Sequence, residues 1–228
     1  MLFTLASAAS EPLRPDISNA LYEPFFDISH STYPEAIVFL HEREILNGYE
    51  DGTFRPKKLV KRAELTVLLM LEHTNRIFPP LGCFADVNLA DWFSPYVCGA
   101  KEIGLVSGYP DDSFAPDSTV TYVEALKLVI DTFHLPVDAA KDGEPWYLPY
   151  QKAAHQLEVM PIHTYAPRDD LTREAMAQLI YRAIMVSEEI TTSMMLAQEP
   201  SADVGFVNLQ PVDEASLPDA LWQRLGLF

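Results

Sequence analysis

Displaced by 60 residues, Gly48-Tyr49-Glu50-Asp51-Gly52-Thr53-Phe54-Arg55-Pro56 falls on Gly108-Tyr109-Pro110-Asp111-Asp112-Ser113-Phe114-Ala115-Pro116, and Glu64 falls on Glu124. Upstream, Phe25-Phe26-Asp27-Ile28 meets Phe84-Ala85-Asp86-Val87 at an offset of 59, so a one-residue indel separates the two copies. A fainter third copy sets Pro167 and Thr172 at an offset of 51 from Pro116 and Thr121, and Trp146 at 54 from Trp92, which shortens its loop by three residues. Repetition at this length means a fold assembled from copies of one supersecondary unit, none of which buries its apolar face alone. Function is then to be sought where the units meet.

Each unit reads as helix, turn, helix. The first helices open on an aromatic residue followed by proline, at Tyr33-Pro34, Trp92-Phe93-Ser94-Pro95 and Trp146-Tyr147-Leu148-Pro149. Proline suits the first helical turn, where no amide donor is needed. Ile37, Leu40 and Glu44, and in the second copy Val97, Ala100 and Gly104, continue a stripe that ends near Leu46 or Val106, and Asn47-Gly48 and Ser107-Gly108 are expected to stop these helices. The Asp51-Gly52-Thr53 turn leads to an extended piece in which Phe54 and Phe114 plug onto the core. The second helices, Leu65 to Leu71, Ala125 to Ile130 and Met176 to Met185, are apolar on nearly every face, which means burial on nearly every face and a central three-helix bundle. Thr121 and Glu124 form a capping-box signature; Lys61 replaces the threonine in the first copy, and Glu174 sits one place early in the third.

Composition narrows the function. Sixteen basic against 33 acidic residues give a formal charge of -17, which argues against nucleic acid as a partner because phosphate neutralisation needs clustered Lys and Arg. An anionic ligand would have to be met at a few local arginines. No run approaches the roughly 20 apolar residues of a membrane helix. The uncharged start, ending in Ala6-Ser7-Ala8-Ala9-Ser10, resembles the tail of an export signal more than a frayed terminus, although it lacks a basic leading region. Export permits disulfides, yet Cys83 and Cys98 have no counterpart pair in the other units, which favours two buried thiols over a bridge. The six histidines show no pair at metal-ligand spacing, no nucleophile motif occurs, and Asp111-Asp112 and Asp169-Asp170 fall in repeat turns, so neither an enzyme nor a metal or cofactor is expected.

The order aromatic, Gly-Tyr-x-Asp-Gly-Thr-Phe-x-Pro, then x-Arg-Ala-Glu before an apolar helix resembles the S-layer homology domain family, closely in the first copy, clearly in the second and degenerately in the third. The resemblance covers residues 24 to 186. It implies a mainly α fold, three helix-loop-helix repeats in a pseudo-threefold spindle, whose grooves hold anionic, typically pyruvylated, cell-wall polysaccharide and so tether exported proteins to the wall. The corresponding domains are 1–23 as an N-terminal segment, 24–80, 81–136 and 137–186 as repeats, and 187–228 as an acidic linker with a short helix over 216–225. The expected localisation is secreted and associated with the cell wall or S-layer. A protein-binding envelope scaffold is the alternative, since no cargo domain is recognisable.

Within the Thr-Arg-Ala-Glu pattern, capping accounts for Thr and Glu and packing for Ala, whereas the Arg has no evident duty to the fold. A guanidinium suits a ketal carboxylate because it donates two parallel hydrogen bonds. Arg62 and Arg173 stand at that position; Tyr122 replaces them in the second copy. Tyr49, Tyr109, Trp92 and Trp146 suit either stacking on sugar faces or packing of core and turn. Asp51 and Gly52 are expected to shape the turn first and touch ligand second.

Overall fold

The computed structural model describes residues 23–73, 82–159 and 165–197. The leader-like segment over 1–10 and the helix expected over 216–225 lie outside them. The chain divides into two compact units at Ile190–Thr191, and the account that follows is of the first. Its elements are all helical: α1 Pro34–Glu42, α2 Arg62–His73, α3 Ser94–Glu102, α4 Tyr122–Thr132, α5 Leu148–Gln156 and α6 Arg173–Ala197. The mainly α expectation is met, and the only β pairing among the described residues is three isolated bridges, Leu59 with Thr172, Lys61 with Thr119 and Thr121 with Asp170.

Those bridges mark a closed hub. The Val60 N–H donates to the Leu171 carbonyl at 2.9 Å, Leu171 to Val120 at 3.0 Å, and Val120 back to Val60 at 2.9 Å. The three residues are separated by the same 60 and 51 positions as the repeats, and all are buried. Around this hub the first two amides of each second helix donate to the next unit's turn. Arg62 and Ala63 donate to Ser118 and Pro116, Tyr122 and Val123 to Asp169 and Pro167, and Arg173 and Glu174 to Lys58 and Pro56. Helix-start donors have no partner within their own helix, so each unit satisfies its neighbour's. α2 packs on α3 and α4, and α4 on α5. α6 meets α1 through Phe39 and Tyr181, ring centroids 4.8 Å apart, and through the Arg43–Glu188 ion pair at 2.7 Å. Every first helix therefore leans on the second helix of the preceding unit, and the third unit closes onto the first.

The second helices are buried as their composition requires. Leu65, Leu69 and Met70 of α2, Leu126, Val129 and Ile130 of α4, and Leu179, Ile180 and Ala183 of α6 join one core cluster with the plugging rings Phe54 and Phe114. Each such aliphatic side chain contributes about 1.5–3 kcal/mol by leaving water. The capping box forms at α4, where Glu124 Oε2 accepts the Thr121 amide at 2.9 Å. At α2, Glu64 still accepts the Lys61 amide at 3.0 Å although no threonine is present. At α6, Glu174 is used differently, as described below.

Three expectations need correction. α1 and α3 end at Glu42 and Glu102, before Asn47-Gly48 and Ser107-Gly108, because Glu44 and Gly104 take the left-handed conformation and reverse the chain there. Gly48 and Gly108 serve a different purpose: a Cβ on either would collide with the ring of Phe25 or Phe84. Helical structure also does not stop at Val186, since α6 runs on to Ala197. Finally, Cys83 and Cys98 are joined in a disulfide, with Cα atoms 5.4 Å apart, rather than held as two thiols. The bridge ties the lead-in to Phe84 onto α3. Closing a loop of that size contributes about 3 kcal/mol, so replacing both cysteines by alanine should lower the unfolding free energy by about that amount in a urea titration; a loss below about 1 kcal/mol would show that α3 is held by packing alone.

Candidate functional site

Because each second helix starts in its neighbour's turn, positions 62, 122 and 173 lie at the three junctions between units, designated the 1–2, 2–3 and 3–1 grooves by the units that meet there.

The 3–1 groove gathers cations. Arg173 Nε donates to the Phe54 carbonyl and Nη2 to the Asn47 carbonyl, both at 3.0 Å. Its guanidinium lies 5.1 Å from the centre of the Tyr49 ring, that of Arg55 lies 3.8 Å from it, and Lys58 Nζ 5.1 Å. Lys58 also donates to the Tyr49 hydroxyl at 2.8 Å. Burial lowers the pKa of Arg173, whereas the hydrogen bond to Asp51 raises that of Arg55; a guanidinium remains charged in either case. Asp51 shapes the turn as its position suggests. Its Oδ1 accepts the Thr53 amide and hydroxyl at 3.1 and 2.6 Å, and Oδ2 accepts Arg55 at 2.8 Å. Hydrogen bonds from the Thr53 hydroxyl and from Arg55 hold its carboxyl at about 2. Gly52 sits at φ +78° with the exposed Phe26 ring packed where a Cβ would stand. Asp27, given no role in the sequence reading, accepts the amides of Phe54 and Arg55 at 2.7 and 2.8 Å. Asp86 does the same for Phe114 and Ala115. Their matching places, 27 residues before Phe54 and 28 before Phe114, were the signal for this role.

The 1–2 groove repeats the frame with its charge cancelled. Arg62 Nε donates to the Phe114 carbonyl at 3.0 Å, and Nη1 to Glu124 Oε1 at 3.1 Å. Tyr109, its ring 5.0 Å from the same guanidinium, donates its hydroxyl to that oxygen at 3.2 Å. Burial raises the Tyr109 phenol. Arg62 is only 9 % exposed. The expectation that these arginines have no duty to the fold is thus corrected: both clamp the turn of the adjacent unit.

In the 2–3 groove an aromatic stack replaces the arginine. Tyr122 is fully buried against Tyr165, rings 5.0 Å apart and nearly parallel, and its hydroxyl has no hydrogen-bond partner among the described residues. Burial pushes both phenols up, Tyr165 to about 12. Nearby, buried Glu174 accepts the Ser31 hydroxyl at 2.8 Å, the Thr32 amide at 3.0 Å and the Lys57 ammonium. Burial alone would raise the Glu174 carboxyl, but these donors outweigh it and hold it below the usual carboxylate value. A depressed folded-state pKa contributes stability that is present above the unfolded value of about 4.3 and lost as pH falls through the folded one. Glu174→Gln should therefore flatten the acid side of the stability curve; an unchanged acid limb in urea titrations below pH 5 would remove Glu174 as the latch between α6 and the first unit.

Trp92 and Trp146 lie apart from these turns in their contacts. They are 63 % and 50 % exposed, and their rings meet Phe93, and Tyr147 and Tyr150, at the starts of α3 and α5. No group of three or more His, Cys, Asp or Glu suited to a metal occurs among the described residues. No described helix is long and apolar enough to cross a membrane.

Residues 24–66 and 84–126 match the S-layer homology domain family. The match does not extend to the third unit, although that unit completes the hub. Among curated proteins, a surface layer protein of Brevibacillus choshinensis is 33 % identical over 90 residues, 38 % of this chain and 8 % of that protein. A cellulosome-anchoring protein of Acetivibrio thermocellus is 31 % identical over 100 residues, 41 % of this chain and 22 % of that protein. An endo-1,4-beta-xylanase A of Thermoanaerobacterium saccharolyticum is 31 % identical over 100 residues, 44 % of this chain and 9 % of the enzyme. The chain thus spans less than a quarter of the length of each of these relatives.

Proposed function

We propose that this chain, which carries two S-layer homology domains at residues 24–66 and 84–126, is a non-catalytic module that anchors an exported protein to the cell wall by binding anionic, pyruvylated wall polysaccharide between its units. The observation that carries the reading is Arg173 in the 3–1 groove: of the three cations gathered on Tyr49, Arg55 is paired with Asp51 and Lys58 with Glu64, while Arg173 makes no ion pair among the described residues. A ketal carboxylate suits it chemically, since charge-assisted hydrogen bonds to a guanidinium contribute about 1.5–3 kcal/mol. Tyr49 and Tyr109 sit at the groove arginines to meet sugar, Asp51 and Gly52 hold the turn in place, and exposed Trp92 and Trp146 offer stacking faces beside the helix starts. The Cys83–Cys98 disulfide fits an exported protein at the cell envelope. The relatives include an S-layer protein, an anchoring protein and a glycanase, and their shared stretch is a small part of each; a common tether explains that distribution better than a common catalytic activity.

Sedimentation with purified wall material tests the proposal. The chain should pellet with intact walls and stay in solution once the wall polysaccharide is stripped. Release of soluble saccharide from the walls would point to an enzyme. Pelleting that survives stripping, together with capture of an envelope protein, would replace glycan binding by the scaffold reading.

A further inference from the structure

The 3–1 and 1–2 grooves share a frame: Tyr49 and Tyr109, Glu64 and Glu124, and Arg173 and Arg62 occupy matching places, while Arg55 and Lys58 are replaced by Ala115 and Ser118. The two glutamates take different partners. In the 3–1 groove Lys58 Nζ lies 3.6 Å from Glu64, and Arg173 makes no ion pair among the described residues. In the 1–2 groove, with serine in place of the lysine, Glu124 takes its bonds from Arg62 and Tyr109. A guanidinium already holding a carboxylate of its own chain must release it before taking another, and the released carboxylate would then stand unpaired beside an anionic ligand. In the 2–3 groove there is no guanidinium at this position, and Tyr122 and Tyr165 stack in its place.

We infer that Lys58 is the selectivity residue of this chain: by pairing with Glu64 it leaves the Arg173 guanidinium, which clamps two backbone carbonyls, without a carboxylate partner, so that the 3–1 groove alone accepts a carboxylate-bearing sugar, one per chain. The inference rests on the wall-glycan reading above. It also places the site across the seam closed by α6, so that neither matched S-layer homology domain carries it alone.

The test is calorimetric titration with the 4,6-pyruvate ketal of a methyl hexopyranoside and, as neutral control, its methyl ester. The intact chain should bind one equivalent of the acid and the ester at least tenfold more weakly. Lys58→Ser should lose at least tenfold in affinity although every arginine is present, because Glu64 then turns to Arg173. The Lys58 contact that Arg173 needs for the fold is a backbone carbonyl, which serine keeps. Lys58→Ser/Glu64→Gln should recover to within about threefold of the intact chain, and Ala115→Arg/Ser118→Lys should bind a second equivalent. Undiminished affinity in Lys58→Ser, no recovery in the double variant, or two equivalents on the intact chain would overturn the inference. If the intact chain binds neither the ketal nor wall material, the wall-glycan reading fails and this inference with it. If both the intact chain and Lys58→Ser sediment with walls equally and in a ketal-dependent way, the inference alone fails.

Discussion

Deleting residues 24–80 should leave a chain that does not fold. The deletion removes Val60, Arg62, Ala63 and the carbonyls of Pro56 and Lys58, so two of the three hydrogen bonds in the hub are lost, and likewise two of the three made by each layer of helix-start amides around it. It also strips the faces of α4 and α6 that pack against Ile37, Leu40, Phe54, Leu65, Leu69 and Met70. At about 1.5–3 kcal/mol for each buried side chain, that loss meets or exceeds the 5–15 kcal/mol by which a domain is normally stable. Circular dichroism of the shortened chain should show no cooperative melt. A melt near the temperature of the whole chain would mean that the units are independent beads and that the hub is incidental.

The two arginines should exchange rank between stability and binding. Arg62→Ala removes a buried clamp that holds both the Phe114 carbonyl and the Glu124 carboxylate. Breaking such a pair from one side costs about 3–5 kcal/mol when fully buried, and Glu124 is partly exposed, so about 3 kcal/mol is expected. Arg173→Ala loses two bonds to backbone carbonyls and no carboxylate partner, for about 2 kcal/mol. In affinity for a ketal-bearing wall fragment the order reverses. Arg173→Ala should lose ten- to a hundredfold, corresponding to about 1.5–3 kcal/mol, while Arg62→Ala at a temperature where it is folded should change little. Urea titrations and binding isotherms on both variants check this. Equal losses in both properties would show that the grooves are chemically equivalent.

Much of this architecture was legible in the repeats. The offsets of 60 and 51 that align the copies are the offsets of the hub residues Val60, Val120 and Leu171, and the all-round apolar second helices are buried as such helices must be. What escaped lay between units. Helix-start arginines look idle within one repeat, because the carbonyls they clamp, Phe114 for Arg62 and Phe54 for Arg173, come from another. The helix ends escaped for a local reason: Glu44 adopts φ 59° without being glycine, and no composition rule singles it out. The bridge at Cys83 and Cys98 breaks the repeat symmetry, so comparison of copies argued against it while proximity created it. Lys58 was visible only as a difference between copies, and acquired meaning once Glu64 and Glu124 could be seen choosing different partners.

The central claim is that wall glycan is held between units, in the 3–1 groove. Its most direct test is titration of purified wall polysaccharide into the isotope-labelled chain, followed by amide and side-chain chemical shifts. The account predicts that perturbations concentrate on residues 47–58 and on Arg173, with the Arg173 guanidinium signals moving more than those of Arg55, which Asp51 holds. Shifts confined to the helix faces remote from the turns, or spread equally over the turns of all three units, would contradict it.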